Sequence, residues 1–205
     1  LNPQTEDVLY TDTCSVKSSV LEDIRKRKPE FFSKFILSHP IAGSEQSGLS
    51  SASSTLFDKR LTIVSPHDKN IEEDISRVEE FWRNLGSLTK RLPANSHDDL
   101  FAKTSHLPHV ISFALMDSIF KDLNDETFLY SGGSLEDYTR IASSDPVMWK
   151  DIMIANEKPV IKSIAHFKES LEKLAELIQK KDPVELTNFF TAIKTSRDQL
   201  LTEEK

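Results

Sequence analysis

The stretch LTIVSPHDKNIEEDISRVEEFWRNLGSLTKRL, residues 61–92, indicates the fold class of the first part of the chain. Residues 61–64 are a short β-prone run closed by Ser-Pro, and residues 87–92 form a second short run. Between them, from about residue 71 to residue 85, apolar side chains recur at helical spacing. The order strand, helix, strand predicts an α/β unit.

Upstream of that stretch the same kind of pattern recurs. Residues 8–11 are β-prone, and Ser15 stands where an N-cap would precede a helix over residues 16–27. Residues 35–37 predict a buried strand that enters His39-Pro40. The α/β pattern therefore covers the whole first part of the chain.

After Pro93 no β-alternation remains, and the rest of the chain has helical patterns only. Breaks in these helices are predicted at Pro108, Gly132-Gly133, Asp145-Pro146 and Asp182-Pro183. We therefore predict an α/β domain over residues 1–92 and an all-helical domain over residues 93–205. A long helix over residues 158–181 carries a broad apolar stripe that requires burial, either within one subunit or in a dimer interface.

Composition excludes several classes of function. The 205 residues are 38% hydrophobic and 29% charged, with a net charge of -7, which is typical of a globular protein and disfavours nucleic acid and acidic membranes as partners. The longest nearly apolar run, residues 110–116, is too short to span a bilayer. A single cysteine, Cys14, favours a reducing compartment, so the cytoplasm is predicted. The chain starts without Met or a signal peptide, and we expect it to be part of a longer protein.

His39 is the first candidate for chemistry, because it lies at the end of a predicted strand, where α/β sheets place their sites. A histidine with a pKa near 6.5 can accept a proton at neutral pH, and Glu45 is close enough in sequence to shape the same pocket. On the residues alone, a structural role for His39 remains open.

Three further histidines, His97, His106 and His109, cluster in one stretch. Residues 106 and 109 share one helical face, with Pro108 suited to a first helical turn. A zinc site would use such a pair, but neither a cysteine partner nor a His-Glu-x-x-His string accompanies it, so no metal is predicted. An anion-binding patch and an ordinary core position remain as alternatives.

Arg140 follows the Gly132-Gly133 turn and lies on or next to a helix. Its guanidinium could bind a carboxylate with two hydrogen bonds, or it could pair on the helix surface with Glu136 or Asp137. Trp149 would by default belong to the core.

Four segments carry a resemblance to a known family: DTCSVK (12–17), SHPIAGSEQSG (38–48), SHLPH (105–109) and GGSLEDYTRIASSDPVMW (132–149). In this order and spacing they resemble the prephenate/arogenate dehydrogenases, without the N-terminal dinucleotide-binding half. The implied fold is an α/β remnant of a Rossmann-like nucleotide-binding domain followed by an all-α helical dimerisation domain. The implied reaction, in tyrosine biosynthesis, is the oxidative decarboxylation of prephenate to 4-hydroxyphenylpyruvate with hydride transfer to NAD or NADP.

The resemblance also implies roles for single residues. His39 matches the catalytic histidine that accepts the proton of the reacting hydroxyl, and Ser15 matches the serine that lies between the nicotinamide and that hydroxyl. Arg140 matches the arginine that binds a substrate carboxylate. His109 would lie near the substrate side chain and would also meet tyrosine as a feedback inhibitor. The residues expected to line or gate the pocket are Ser44, Glu45, His97 and Trp149. A homodimer is implied as well.

Departures from the family pattern and other function classes complete the expectations. Cys14 and Ser134 stand where glycine is common, and the 205 residues lack a Gly-x-Gly-x-x-Gly turn, so the isolated chain is expected to bind the cofactor poorly and to be inactive. Arogenate, or both compounds, is the alternative substrate. From other classes, a non-catalytic helical dimerisation module and a histidine-based metallohydrolase with bound zinc remain alternatives.

Overall fold

The computed structural model describes residues 8–43, 52–122 and 130–203. Two compact units make up the chain, Leu1–Val160 and Ile161–Lys205. The predicted division into residues 1–92 and 93–205 is a different partition, and it stays a prediction.

Three strands and eight helices, together with two 3₁₀ turns and one π turn, form the described part of the chain. In chain order they are α1 Ser18–Arg27, a 3₁₀ turn Pro29–Lys34, β1 Leu37–Pro40, β2 Leu61–Ser65, α2 Glu72–Asn84, β3 Leu88–Arg91, α3 Ala94–Phe101, a π turn Ala102–His106, α4 Leu107–Asp122, α5 Gly133–Thr139, a 3₁₀ turn Arg140–Ser143, α6 Pro146–Ala155, α7 Glu157–Lys180 and α8 Pro183–Glu203. The predicted α/β part followed by a helical part is confirmed.

The strands form one mixed sheet in the order β1-β2-β3. β1 pairs antiparallel with β2, with His39 opposite Ile63, and β2 pairs parallel with β3, with Leu61 opposite Leu88. The helix α2 connects the two parallel strands, as its periodicity predicts. Its apolar face packs on the sheet in a buried cluster of Ile36, Val64, Ile75, Val78 and Trp82. This cluster stabilises the strand that carries His39.

The turn from α2 into β3 requires a glycine. Gly86 has a φ of 93°, and a Cβ at this position would lie 2.3 Å from an oxygen of the Asp58 side chain. A left-handed residue directly after a helix is the usual position for glycine, because a side chain would be strained there.

Two predictions about the start of the chain are wrong. Residues 8–11 do not form a strand, because Tyr10 makes only an isolated parallel bridge with Phe35. Ser15 does not cap α1, which begins at Ser18 with Lys17 in the N-cap position and without a local side-chain cap. The free N–H groups at this helix end are instead bound by a distant carboxylate, described below.

The predicted break at Pro108 is also wrong. α3, the π turn and α4 follow one another without a gap, and Pro108 is the second residue of α4. A proline removes one i→i−4 hydrogen bond, and here the wider π turn lies directly before it, so the helical path continues.

The second unit contains most of α7 and all of α8. Asp182 begins α8 by accepting hydrogen bonds from the backbone N–H groups of Val184 and Glu185 at 2.8 and 3.1 Å. Ile161 and Ile178 on α7 are 60% and 55% exposed, so much of the predicted apolar stripe is uncovered in the single chain. Among the described helices, none is both long and apolar enough to cross a membrane.

Candidate active site

His39 is held at the end of β1 by a hydrogen bond between two histidine rings. Its Nδ1 lies 2.8 Å from Nε2 of His97, which belongs to α3. The ring of Phe101 packs on both imidazoles, with centroid distances of 4.9 Å to His39 and 4.3 Å to His97. His39 is half-buried, and its Nε2 has no hydrogen-bond partner among the described residues.

His97 is fully buried and is anchored by its sequence neighbour Asp98. Nδ1 of His97 lies 2.8 Å from Oδ1 of Asp98, whose side chain is also buried. The same carboxylate accepts the backbone N–H groups of Lys17 and Ser18, each at 2.8 Å. Asp98 therefore supplies the N-terminal cap that α1 lacks locally.

Asp98 is ionised in this setting. Burial by itself would raise its carboxyl pKa, but the hydrogen bonds from His97 and from the N–H groups of Lys17 and Ser18 outweigh that effect, so the pKa lies below its ordinary value. An ionised carboxylate can only accept hydrogen bonds.

Lys17 attaches the segment before α1 to β1. Its side chain is fully buried, and its ammonium group donates to the Asp12 carboxylate and, at 2.6 Å, to the backbone oxygen of Ser38. Burial lowers the pKa of Lys17, and the charge of Asp12 acts in the opposite direction. Asp12 also accepts the Ser38 N–H at 3.0 Å, so the segment next to Ser15 is tied to the residue before His39.

These surroundings keep His39 neutral. Burial, followed by the charges of His97, Lys17 and His106, lowers the pKa of His39 to about 3, and only Asp98 acts in the opposite direction. At neutral pH the ring therefore carries one proton and one free lone pair.

His106 is buried at the end of the π turn. Its Nδ1 lies 3.0 Å from Nδ2 of Asn156, which also donates to the backbone oxygen of Asp98 at 2.9 Å. Because an amide nitrogen only donates, Nδ1 of His106 carries the lone pair. Burial lowers the pKa of His106 to about 4, with Asp98 raising it and His97 and His109 lowering it further.

His109 and Trp149 form a stacked pair on the other side of the site. Their ring centroids are 3.6 Å apart with an interplanar angle of 25°. Nδ1 of His109 lies 3.0 Å from the backbone oxygen of Ser105, which only accepts, so Nδ1 carries the proton and Nε2 the lone pair of the neutral ring. Burial lowers the pKa of His109 against the raising effect of this bond. The buried indole N–H of Trp149 has no hydrogen-bond partner within the described ranges.

A cavity of about 470 Å³ connects these groups. His39, His109 and Trp149 all line it, and Arg60, directly before β2, brings a guanidinium to its wall. Between residues 8 and 203, outside the two internal gaps, no carboxylate is paired with that guanidinium. The cavity thus combines a neutral base, a stacked aromatic pair and a cation, which suits an anionic ring compound.

The structure does not bring every predicted site residue into this cavity. His97 lies behind His39, as a buried ring that supports it. Arg140 lines a neighbouring cavity of about 610 Å³ together with Phe113 and Glu136. Ser15 lines a third cavity, of about 340 Å³, between α1 and α6. The predicted site residues Ser44 and Glu45 lie outside the described residues.

Sequence reasoning missed three residues that the geometry connects with the site: Asp98, Lys17 and Arg60. Asp98 directly follows His97, and Lys17 ends the DTCSVK segment, so both were within reach of the motifs. Arg60 had no local signal. Among the residues that the structure describes, no group of three or more His, Cys, Asp or Glu side chains is arranged to hold a metal ion.

Comparisons with known families cover nearly the whole chain. Residues 2–90 match the family described as prephenate dehydrogenase, nucleotide-binding domain, and residues 93–192 match prephenate dehydrogenase, dimerization domain.

Individual relatives agree with these matches. A cyclohexadienyl dehydrogenase from Zymomonas mobilis is 32% identical over 201 residues, which are 97% of this chain and 68% of that protein. A Bacillus subtilis prephenate dehydrogenase is 26% identical over 97% of this chain and 54% of its own length. The crystal structure of a prephenate dehydrogenase from A. aeolicus, in complex with hydroxyphenyl propionate and NAD+, superimposes with a TM-score of 0.88 at 34% identity and covers 96% of this chain and 68% of that one.

Proposed function

The chain belongs to the prephenate dehydrogenase family, and from this we propose that the protein containing it oxidatively decarboxylates prephenate to 4-hydroxyphenylpyruvate. NAD or NADP, when bound, supplies the nicotinamide carbon that takes up the hydride. The carbon–hydrogen bond at the substrate's hydroxyl carbon breaks toward that acceptor, and the hydroxyl proton goes to a base. The bond to the ring carboxylate breaks as carbon dioxide leaves, and its electron pair completes the aromatic ring. The phenolate oxygen that results takes the proton back from the base, which gives the hydroxyl of the product.

The observation that carries this proposal is the state of His39. It is neutral, with a pKa of about 3, and its Nε2 has no partner in the described part of the chain. We assign His39 the role of the base that accepts the hydroxyl proton. A proton acceptor at the wall of a cavity that also carries a guanidinium fits a hydroxylated, anionic substrate.

Two arginines line cavities in which the two carboxylates of prephenate could bind. Arg60 lines the cavity of His39, and Arg140 lines the adjacent one. The two cavities are adjacent because Ile141, the residue after Arg140, lines the cavity of His39. A guanidinium binds a carboxylate with two parallel hydrogen bonds, so each arginine would fix one end of the substrate. The roles of Ser44 and Glu45 in the same pocket stay predictions.

We propose that Ser15 contacts the nicotinamide ring of the bound cofactor. Its cavity is bordered by Val16, Val20 and Ile152, and such apolar walls fit one face of a flat ring. The serine hydroxyl would add a hydrogen bond that keeps ring and substrate in register.

Arogenate is a second candidate substrate, supported by His109. The neutral ring presents its lone pair at Nε2, which can accept a hydrogen bond from an ammonium group but cannot donate one to a keto oxygen. Arogenate carries an amine where prephenate carries the keto group. The relative from Z. mobilis is named a cyclohexadienyl dehydrogenase, which agrees with activity on both compounds.

We further propose that the protein is a homodimer. Residues 93–192 match a dimerization domain, and the exposed apolar side chains of α7 would be covered in a dimer. Feedback inhibition by tyrosine and a cytoplasmic location stay predictions.

The test is the reduction of NAD and of NADP by the complete protein, followed through the absorbance of the reduced nicotinamide with prephenate and with arogenate in parallel. Reduction of a nicotinamide that depends on prephenate supports the proposal. Activity with arogenate alone would identify arogenate, and not prephenate, as the substrate. No activity with either compound would contradict both candidate substrates. A metallohydrolase would instead contain stoichiometric zinc and lose its activity to a chelator.

A further inference from the structure

We propose that Asp98 and His97 are positioning residues that fix the tautomer of His39, so that the nitrogen left free for the substrate is the unprotonated one. Their set of hydrogen bonds, from Asp98 through His97 to His39, is called the relay below. The inference rests on the proposed function in one respect, since it assigns the free lone pair of His39 to the substrate hydroxyl.

The first step is the state of His97. Oδ1 of Asp98 accepts the Lys17 N–H at 2.8 Å and lies 2.8 Å from Nδ1 of His97. Because the ionised carboxylate has no proton to donate, Nδ1 of His97 must carry the hydrogen of that contact. A neutral His97 then has its lone pair at Nε2.

The second step transfers this constraint to His39. Nε2 of His97 and Nδ1 of His39 are 2.8 Å apart, and one hydrogen must lie between them. Since Nε2 of His97 carries a lone pair, the hydrogen belongs to Nδ1 of His39. The lone pair of His39 is therefore at Nε2, the ring nitrogen without a partner among the described residues.

The relay also stabilises the charge that the reaction creates. When Nε2 of His39 takes the hydroxyl proton, the ring becomes cationic and its Nδ1–H points at the lone pair of His97. The negative charge of Asp98 lies one imidazole further on, in a buried setting where charge interactions are strong. The charge of Asp98 therefore acts against the burial that lowers the pKa of His39, although burial remains the larger effect. The charged neighbours that oppose protonation of His39 are Lys17 and, whenever they are protonated, His97 and His106.

Asp98 has a second task that a test must separate from the first. It holds the N-terminus of α1 through the N–H groups of Lys17 and Ser18, so substitutions of Asp98 would disturb that helix as well. Variants of His97 leave this cap intact. Phenylalanine at position 97 retains the stacking on Phe101 but cannot accept from His39, whereas glutamine offers an amide oxygen as an acceptor.

The decisive measurement is ring-nitrogen NMR of the complete protein with ¹⁵N-labelled histidine, with His39 identified by its loss in His39→Asn. We expect the Nδ1–H tautomer of His39 in the wild type. In His97→Phe we expect a shift toward the Nε2–H tautomer, which free imidazole side chains favour, and in His97→Gln retention of Nδ1–H. This readout does not require turnover, so it tests the relay even if the proposed reaction is wrong.

Kinetics give the second readout. His97→Phe should lower kcat roughly 10²-fold with little change in KM, and His97→Gln should restore turnover to within about tenfold of the wild type. The matched control is Asn95→Ala, which removes a different bond between α3 and α1, the one from Ser18 Oγ at 3.0 Å. It should leave kcat unchanged.

Two results would overturn the proposal. One is an Nε2–H tautomer of His39 in the wild-type protein, a spectrum that needs no variant to fold. The other is a His97→Phe variant that keeps the wild-type tautomer or keeps kcat within about threefold. A His97→Phe variant with low kcat but an unchanged tautomer would assign His97 a purely structural role.

Discussion

The two sides of the His39 cavity use their hydrogen bonds in opposite ways. On the side of the relay, every bond between Asp98, His97 and His39 is already made, at 2.8 Å, and two of the three residues are buried. On the opposite side, which we call the recognition side and which consists of Arg60, His109 and Trp149, hydrogen-bonding groups remain without a partner among the described residues. The difference indicates that the relay is organised before substrate arrives, whereas the recognition side is completed by the substrate.

The largest effect should come from the end of the relay. His39→Asn removes the proton acceptor, and we expect kcat to fall by roughly 10²–10⁴ with a modest change in KM. Steady-state kinetics of the complete protein with prephenate measure this. His67→Asn makes the same change outside the cavity and should keep kcat. Near-normal turnover of His39→Asn would show that His39 is not the base that accepts the hydroxyl proton.

Arg140 lies in the neighbouring cavity. Its substitution therefore tests whether residues outside the recognition side also bind the substrate. Losing a charge-assisted hydrogen bond costs about 1.5–3 kcal/mol, and the lower end applies because Arg140 is exposed, so Arg140→Gln should raise KM for prephenate at least roughly tenfold, with little change in kcat. Arg25→Gln, on the exposed face of α1, is the matched control. An unchanged KM would exclude Arg140 from substrate binding.

Arg60 tests the recognition side itself. Its guanidinium lines the cavity but remains exposed, so solvent weakens the contact, and we expect Arg60→Gln to raise KM about tenfold at constant kcat. Arg60→Lys keeps the charge and should recover part of the loss. A fall in kcat without a rise in KM would mean that Arg60 contributes to the chemical step and not to substrate binding. The relay and the recognition side would then not have separate functions.

The last expected effect is on stability in acid, and at neutral pH it is absent. The pKa values of His39 and His106, about 3 and 4, lie below the value near 6.5 of an unfolded histidine, so the unfolded chain binds more protons in acid. The stability that these two rings contribute is fully present above about pH 6.5 and is lost as the pH falls to about 4 for His106 and to about 3 for His39. Each ring contributes at most about 1.4 kcal/mol per pH unit.

Urea unfolding at several pH values measures this slope. His39→Asn removes one of the rings whose pKa is lowered in the folded protein, so its stability should depend less steeply on pH between about 6.5 and 3. His166→Asn, at an exposed position of α7, should leave the slope unchanged. An equal slope in wild type and His39→Asn would contradict a buried neutral His39.

A structural feature could be predicted from the sequence when the residues that cause it lie close together in the chain. The β2-α2-β3 order and the long helix α7 were predicted because periodicity within one segment determines them. The start of α1 was not, because its cap comes from Asp98, which is 81 residues from Lys17. Similarly, Pro108 predicts a helix break by local rules, and only the preceding π turn explains why none occurs.

The candidate site divides in the same way. The histidines and Trp149 were singled out by the motifs, and the structure brings His39, His109 and Trp149 to one cavity. The motifs do not indicate that His97 supports His39 from behind, or that Arg60 reaches the cavity, since both depend on how distant segments pack. Ser15 and Arg140 lie in adjacent cavities, and their roles stay predictions.

The π turn over Ala102–His106 constrains the length of this part of the chain as well as its composition. It separates His97, on α3, from His109, on α4. Deleting a single residue here, so that the turn became an ordinary α-helical one, would rotate the two flanks by about 100° relative to each other. The relay and the stacked pair could then no longer meet at one cavity. A one-codon deletion in this turn would therefore separate proton transfer from substrate recognition, even if every remaining side chain of the site were unchanged.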